Sequence, residues 1–139
     1  MAFHIIIDGY NLIRNYPPLS RVEAADFAQG RNFLLEWLAE YKRESKNAVT
    51  VIFDGGKGGE LLEERSIYKG IKVLYSRWGQ TADDLIKRLS AHEGEKAMVV
   101  SSDRDLCYSC RSFKATTIRS EEFAHLIVEK GRRSFLRDT

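Results

Sequence analysis

The chain of 139 residues has few cysteines and prolines and no long apolar run. No apolar run approaches the roughly 18 residues that a membrane span needs, and the first charged side chain comes too early for a signal peptide. Two cysteines exclude a disulfide-stabilised scaffold, and the ten glycines and two prolines exclude collagen-like and low-complexity chains. We therefore expect a cytoplasmic protein with no membrane association.

An excess of charge of one sign is also missing. The 22 basic and 20 acidic residues give a net charge of +2, which is too small to indicate nucleic-acid binding by itself. Hydrophobic residues make up 43% and charged residues 30%, as is typical of a soluble globular protein. The length predicts one domain spanning residues 1–139.

Five short apolar runs alternate with stretches of helical periodicity. This alternation is typical of an α/β layer fold with a mainly parallel central sheet. The predicted strands are residues 3–7, 48–53, 71–75, 97–100 and, more weakly, 114–118.

Three helices are predicted in some detail. Apolar residues at helical spacing predict one long helix over residues 22–41, with Gly30 on the apolar stripe, where it would allow close packing on the sheet. Thr81 is the predicted N-cap of a second helix. The last helix is predicted to begin at Ser120 and to end at Gly131.

Aspartates follow three of the predicted strands directly: Asp8, Asp54 and Asp103. Carboxyl ends of parallel strands meet at one edge of a sheet, where ligands bind in open α/β folds. The helix-starting Asp83 and Asp84 belong at the same edge, and Asp105 lies just beyond Asp103.

Carboxylates that are crowded in this way repel one another. Two like charges about 5 Å apart repel by roughly 3 kcal/mol at an effective dielectric constant of 20, so the cluster favours protonation or a bound cation. All-oxygen ligands suit Mg²⁺ or Mn²⁺ rather than zinc, and such an ion can activate water against a phosphate ester. Taken singly, each aspartate is equally compatible with a turn or a helix-start charge.

Four motifs in this order resemble one known family: Ile7-Asp8-Gly9-Tyr10-Asn11-Leu12, Phe53-Asp54-Gly55, Thr81-Ala82-Asp83-Asp84 and Ser101-Ser102-Asp103-Arg104-Asp105. The family is the YacP-like branch of the NYN-domain ribonucleases, within the PIN-like nuclease superfamily. The resemblance implies a three-layer α/β/α sandwich, a divalent metal and endonucleolytic cleavage of RNA in the bacterial cytoplasm. Because at least one member of the family is ribosome-associated, it also implies the ribosome as a partner.

The resemblance assigns roles to individual residues. It implies Asp8, Asp83 and Asp103 as metal ligands and Asn11 as a catalytic polar group that steadies the site or the phosphate. Because Asp84 is adjacent to Asp83, which of the two contacts metal stays open, with Asp83 favoured. Possible outer ligands are Asp54, Asp84 and Asp105, and Ser101 or Ser102 is expected to donate a hydrogen bond to a carboxylate.

Basic and aromatic residues near the same edge are candidates for binding RNA: Tyr10, Arg14, Lys57, Arg77, Trp78 and Arg104. Two alternatives stay open here. Trp78 is equally compatible with a core or rim position, and Arg104 with an ion pair to Asp84 or Asp105. Cys107 and Cys110 are expected to be ordinary reduced thiols.

The sequence therefore predicts a Mg²⁺- or Mn²⁺-dependent endoribonuclease that cleaves single-stranded RNA. The main alternative is a non-catalytic domain that binds RNA or the ribosome. A receiver-type phosphotransfer domain is disfavoured, because paired acids after the first strand and a lysine after the last are both missing.

Overall fold

The computed structural model describes residues 2–55 and 64–138. Its strands are β1 (His4–Asp8), β2 (Ala48–Phe53), β3 (Glu64–Tyr68), β4 (Ile71–Tyr75), β5 (Ala97–Val100) and β6 (Thr116–Ile118). Its α-helices are α1 (Gly9–Arg14), α2 (Pro17–Ala25), α3 (Phe27–Arg43), α4 (Ala82–Glu93), α5 (Arg104–Ser112) and α6 (Ser120–Asp138). A 3₁₀ turn, Gly94–Lys96, connects α4 to β5.

The strands form a single sheet in the order β3-β4-β2-β1-β5-β6. Every pairing is parallel except that of β3 with β4, so the predicted, mainly parallel α/β fold is confirmed. From β1 the chain builds outward to β2 on one side and to β5 on the other. The strand order thus reverses at β1, which is where such sheets form a ligand-binding crevice.

Helices cover both faces of the sheet, and alternate residues of β1 contribute to the two resulting cores. Ile5 and Ile7 pack with residues of α1, α2, α3 and α6. Ile6 packs with residues of α4 and α5 instead. This alternation places Asp8 on the α4–α5 side of the sheet, since side chains two residues apart share a face.

All five predicted strands are present, and one strand was missed. Glu64–Tyr68 is an edge strand that carries charged residues and pairs antiparallel with β4. The tight turn between these strands has Lys69 and Gly70 at φ angles of 47° and 86°. The polar sequence of this edge strand lacks the apolar signal on which the prediction relied.

The prediction of one helix over residues 22–41 was wrong, because the chain breaks at Asp26. The Asp26 side chain accepts hydrogen bonds from the backbone N–H groups of Ala28 and Gln29 and so caps a new helix, α3. Phe27 is 52% exposed rather than buried. Gly30 allows close packing against another helix and not against the sheet, since a Cβ there would lie 2.8 Å from Glu23 Cβ in α2.

Helices α4 and α6 begin as predicted, but the end of α6 differs. Thr81 caps α4, and α6 begins at Ser120. The helix continues through Gly131 to Asp138. A helical glycine costs about 1 kcal/mol, which good helix formers on either side offset. Among the described residues, no helix combines the length and the apolar character needed to cross a bilayer.

Candidate active site

Asp8 is the last residue of β1 and the centre of the candidate site. Its Oδ2 atom accepts a hydrogen bond from Ser101 Oγ at 3.0 Å. The same hydroxyl oxygen accepts a hydrogen bond from Asp103 N at 3.1 Å. Ser101 is fully buried, so it forms a rigid link between the carboxyl ends of two neighbouring strands. The expectation that Ser101 or Ser102 donates to a carboxylate is confirmed, and the donor to the carboxylate of the site is Ser101.

Burial gives Asp8 unusual acid–base properties. Removal of water from its surroundings, together with the charges of Asp83 and Asp103, raises its pKa to about 6, although the Ser101 hydrogen bond acts in the opposite direction. Three carboxylates from β1, α4 and the β5–α5 link therefore lie close enough for their charges to interact. A carboxylate whose charge is disfavoured in this way is a typical component of a functional site.

Asp83 and Asp84 have different surroundings although they are adjacent. Asp84 is exposed and completes a capping box: its Oδ2 accepts from Thr81 N at 3.0 Å, and Thr81 Oγ1 accepts from Asp84 N at 3.1 Å. These bonds lower the pKa of Asp84. Asp83 is half-buried, and burial and the charge of Asp103 raise its pKa. The geometry therefore turns Asp83 toward the site and occupies Asp84 in capping.

Asp103 caps the helix that follows it. Its Oδ1 atom accepts from the backbone N–H groups of Asp105 and Leu106 at 3.0 and 3.1 Å. Its side chain is exposed, yet its charge affects both Asp8 and Asp83. Asp103 consequently combines a structural role in α5 with a position at the carboxylate cluster.

The two other acids predicted as outer ligands are placed differently. Asp54 accepts a hydrogen bond from Ser76 Oγ at 3.4 Å and lies close enough to raise the pKa of Asp83. Asp105 is exposed in the first turn of α5 and lines a neighbouring cleft together with Asp103 and Arg104. Asp54 thus lies close to Asp8 and Asp83, whereas Asp105 lies outside the cavity that these three residues line.

A cavity of about 320 Å³ opens over the cluster. It is lined by Asp8, Tyr10, Asn11, Arg14, Asn15, Asp54, Ala82 and Asp83. Three of these residues carry carboxylates, and one carries a permanent positive charge. The cavity therefore has the size and polarity for a hydrated cation and part of a phosphate group.

The donor set suits a hard cation. Across residues 2–55 and 64–138, no three acidic, histidine or cysteine side chains converge closely enough to enclose a metal ion by themselves. This arrangement is compatible with Mg²⁺, which keeps several waters and is usually bound through one or two carboxylates together with substrate phosphate. Asp8 and Asp83 would hold such an ion, with Asp103 as the third nearby carboxylate.

Asn11 connects three segments that form the edge. Its Oδ1 atom accepts from Ser102 N at 2.9 Å, from Ser120 Oγ at 2.7 Å and from Asn15 Nδ2 at 3.3 Å. It therefore holds α1 against the β5–α5 link and the start of α6. The steadying role predicted for Asn11 agrees with these bonds, and a direct role in catalysis stays a prediction.

Two residues of this network were not predicted. Ser120 is fully buried, and Glu121 accepts from Ser102 Oγ at 2.7 Å, which lowers its pKa. In the sequence, these residues indicated only the start of a helix. The missed signal was that the helix begins two residues after β6, a parallel neighbour of β5, so that its first turn lies at the same sheet edge.

Tyr10 is integrated into the protein's own aromatic packing. Its ring stacks on Phe27 at 5.2 Å and packs against Phe53 at 4.9 Å between centroids. Its hydroxyl accepts a hydrogen bond from Arg31, and the Arg14 guanidinium lies 5.3 Å from the ring centroid. Stacking of a base on Tyr10 stays a prediction, but it would require one of these neighbours to move.

The other predicted RNA contacts differ in position. Arg14 lines the cavity and also pairs with Glu23 at 3.5 Å. Arg77 and Trp78 follow β4, and the 59% exposure of Trp78 excludes the core alternative. Lys57 lies outside the described residues.

Arg104 is exposed at the start of α5. Among the described residues, Arg104 forms no ion pair with Asp84 or with Asp105.

The expectation that the two cysteines are ordinary reduced thiols is confirmed. Cys107 and Cys110 are both free and buried, and burial raises the pKa of each thiol.

A mainly parallel sheet between helical layers, with carboxylates gathered at its carboxyl edge, is the arrangement of a PIN-like nuclease-type domain. Comparison with known proteins specifies the family. The model of the YacP-like NYN domain matches residues 5–135, and the chain belongs to that family. NYN domains are nuclease-type domains, and RNA is the substrate class that they imply.

Individual relatives agree with this assignment. The chain is 33% identical over 88 residues to the uncharacterized protein YacP of Bacillus subtilis (strain 168), a match that covers 62% of this chain and 50% of the relative. The matched segment thus spans half the length of that relative.

Two solved structures share the fold. A crystal structure of Rae1 (YacP) from Bacillus subtilis matches with a TM-score of 0.78 and 26% identity, covering 96% of this chain and 78% of the other. A mutant form of the same protein matches with a TM-score of 0.80 and 24% identity, covering 96% and 79%. The PIN-like α/β fold is thereby confirmed.

Proposed function

We propose that this domain is an endoribonuclease that hydrolyses phosphodiester bonds of single-stranded RNA with the help of Mg²⁺ or Mn²⁺. The observation that carries the proposal is that Asp8, Asp54 and Asp83 line one cavity at the carboxyl edge of the sheet. There, partial burial of Asp8 and the charges of Asp83 and Asp103 raise the pKa of Asp8 to about 6. A site that accumulates negative charge in this way gains most from a bound dication. Membership of a nuclease-type family supports the same conclusion.

In this proposal, Asp8, Asp83 and Asp103 bind the ion, directly or through water. When it is bound, a divalent cation lowers the pKa of coordinated water and neutralises charge on a phosphoryl oxygen. Ser101 orients the Asp8 carboxylate, and Asn11 holds the strand ends at a fixed separation. Arg14 at the cavity rim provides a positive charge for the phosphate.

Asp54 is the candidate for positioning the attacking water. It lines the same cavity and interacts with Asp83 across it. Ser76 Oγ donates a hydrogen bond to Asp54 and also accepts one from Gly55 N at 2.9 Å, so the β2 end of the site is held in place. A carboxylate oriented in this way can accept a proton from water.

The decisive experiment measures cleavage of labelled single-stranded RNA in Mn²⁺, in Mg²⁺ and in excess chelator. The parent and Asp8→Asn are compared with Asp26→Asn as the matched control, because Asp26 only caps α3 and asparagine caps equally well. We expect cleavage that needs metal and Asp8 but not Asp26. Binding of RNA without any metal-dependent cleavage would instead favour the alternative, a non-catalytic RNA- or ribosome-binding domain.

We further propose that the reaction takes place in the bacterial cytoplasm and that the protein associates with the ribosome. The relative from Bacillus supports a bacterial protein, and the proposed substrate is RNA in the cytoplasm. Association with the ribosome follows only from the family resemblance. Co-sedimentation of the protein with ribosomes, with sedimentation of the protein alone as the control, tests it directly.

A further inference from the structure

A second concave surface lies on the same side of the sheet as Asp8. Helix α4 packs over β1, β2 and β5, and the β3–β4 ribbon extends the sheet beyond it. Between α4 and this ribbon runs a groove of about 460 Å³. We refer to this surface, lined among others by Arg65, Ile67, Lys72, Leu74 and Arg88, as the α4–ribbon groove.

Strand register explains which side chains form the floor of the groove. Thr50 pairs with Lys72, which pairs with Ile67 on β3. One step further along, Leu74 pairs with Arg65. Because paired residues share a face of the sheet, these side chains all point toward the α4 side.

The groove combines positive charge with apolar surface. Arg65, Lys72 and Arg88 are exposed and carry permanent positive charge. Ile67 is 73% exposed at its floor. Such a surface can bind phosphates through its cations while sugars and bases cover its apolar part.

Glu93, the acidic residue in the described lining of the groove, is in contact with His4. Glu93 Oε1 lies 2.7 Å from His4 Nδ1, and this contact lowers the pKa of Glu93. His4 Nε2 lies 2.6 Å from Thr50 Oγ1. The described lining therefore carries three cationic side chains and one carboxylate, which pairs with His4.

The groove begins close to the candidate active site. Leu74 lies two residues before Ser76, whose hydroxyl bonds to Asp54, and two residues of strand span about 7 Å. Helix α4 begins beside the site with Asp83 and ends at the far part of the groove with Glu93. Twelve helical residues span about 18 Å. A chain leaving the acidic site can thus follow α4 into the groove.

We propose that the α4–ribbon groove binds the sugar–phosphate backbone of the RNA strand outside the cleaved phosphodiester. This inference rests on the proposed function. RNA is favoured over an acidic protein segment because the groove adjoins a site whose own substrate is a phosphodiester. The groove would hold the strand while the carboxylate cluster acts on one bond.

The test compares two triple variants of equal charge. The groove variant is Arg65→Gln, Lys72→Gln and Arg88→Gln, and the control is Arg21→Gln, Arg43→Gln and Lys114→Gln, which changes three exposed cations outside the groove. Binding of a long and a short single-stranded RNA is measured in Asp8→Asn protein over a range of salt concentrations. Thermal melting verifies folding, and the single variant Lys72→Gln serves if the triple variant does not fold.

We expect the groove variant to bind long RNA on the order of tenfold more weakly, and its salt slope to fall by about 2 for three lost phosphate contacts. In proteins with Asp8 intact, the ratio of kcat/KM for long RNA to that for short RNA should fall by a similar factor. The control should change neither quantity to this extent.

Polyglutamate binding is measured in parallel as the probe for an acidic protein segment. Three results would overturn the inference: equal losses of RNA binding in both triple variants, no loss of RNA binding in the groove variant, or a groove variant that loses binding to polyglutamate but not to RNA. Failure of the proposed function gives a different result, since the parent protein would then cleave neither the long nor the short RNA, even when metal is present. The groove inference is judged on binding and salt dependence, so the two failures are distinguishable.

Discussion

Ser101 Oγ donates a 3.0 Å hydrogen bond to Asp8 Oδ2, joining residues 93 positions apart in the chain. This bond is the one contact that stabilises the charged form of Asp8 most, because it opposes the effects of burial and of the neighbouring carboxylates. It also fixes the orientation of the carboxylate, since Ser101 is held in turn by Asp103 N.

Ser101→Ala should therefore move the pKa of Asp8 above about 6. If Asp8 acts as a carboxylate, the acid limb of the cleavage pH profile shifts to higher pH, and cleavage below neutral pH falls more than at pH 8. The pH dependence of kcat/KM checks this. Ser112→Ala on the exposed end of α5 is the control, and an unchanged acid limb in Ser101→Ala would contradict the role of Ser101 as a positioning residue.

Asp8→Asn should stabilise the metal-free protein at neutral pH. Asp8 has a folded-state pKa of about 6 against 3.8 normally, so its contribution to stability is fully present below pH 3.8 and is lost as pH rises through 6. The shift corresponds to about 3 kcal/mol at most. Unfolding free energies in excess chelator should be similar for both proteins near pH 4 and should diverge by pH 7. Parallel curves would show that Asp8 is not perturbed.

Asp83→Asn and Asp84→Ala should have opposite effects on stability and on cleavage. Asp83→Asn removes a carboxylate from the cluster and should abolish cleavage while it stabilises the metal-free fold. Asp84→Ala, tested beside Asp84→Asn, should lower stability by about 0.5 to 1 kcal/mol through loss of the cap and retain cleavage. Melting curves and initial rates separate the two. Loss of cleavage in Asp84→Asn with normal cleavage in Asp83→Asn would reverse the assignment.

Asn11→Ala should destabilise the fold on the order of 2 to 3 kcal/mol. The substitution removes the acceptor of Ser102 N and of the buried Ser120 hydroxyl, and leaving such donors unpaired is costly. Chemical denaturation measures the loss. Asn32→Ala, on the exposed face of α3, should be neutral or slightly stabilising. Equal stability of the two variants would show that the Asn11 bonds contribute little.

Gly30→Ala and Gly131→Ala should change stability in opposite directions. A Cβ at Gly30 would approach Glu23 Cβ and Cα to 2.8 and 3.0 Å, so α2 and α3 must separate and stability falls. A Cβ at Gly131 meets nothing within 4 Å, so alanine should stabilise α6 by about 1 kcal/mol. Thermal melting of both variants provides the comparison, and a stabilising Gly30→Ala would show that the helix pair adapts freely.

Local sequence predicted some elements well and others poorly for identifiable reasons. Ile5–Ile7 and Val49–Phe53 are buried on both faces, so their continuous apolar character predicted central strands correctly. The edge strand β3 has no such signal. Asp26 interrupts a stretch of helical periodicity by capping, and periodicity does not detect a change of direction at a single polar residue.

By itself, the sequence determined that strand segments run directly into aspartates and that Thr81 and Ser120 stand at helix starts, because these are properties of neighbouring residues along the chain. Only the tertiary structure decided that Asp83 faces Asp8 while Asp84 caps its helix, that Ser101 and Asn11 lock the strand ends together, and that α4 leaves a basic groove beside the ribbon. These features depend on contacts between residues far apart in the chain, and burial, hydrogen bonding and charge interactions act through distances in space rather than along the sequence.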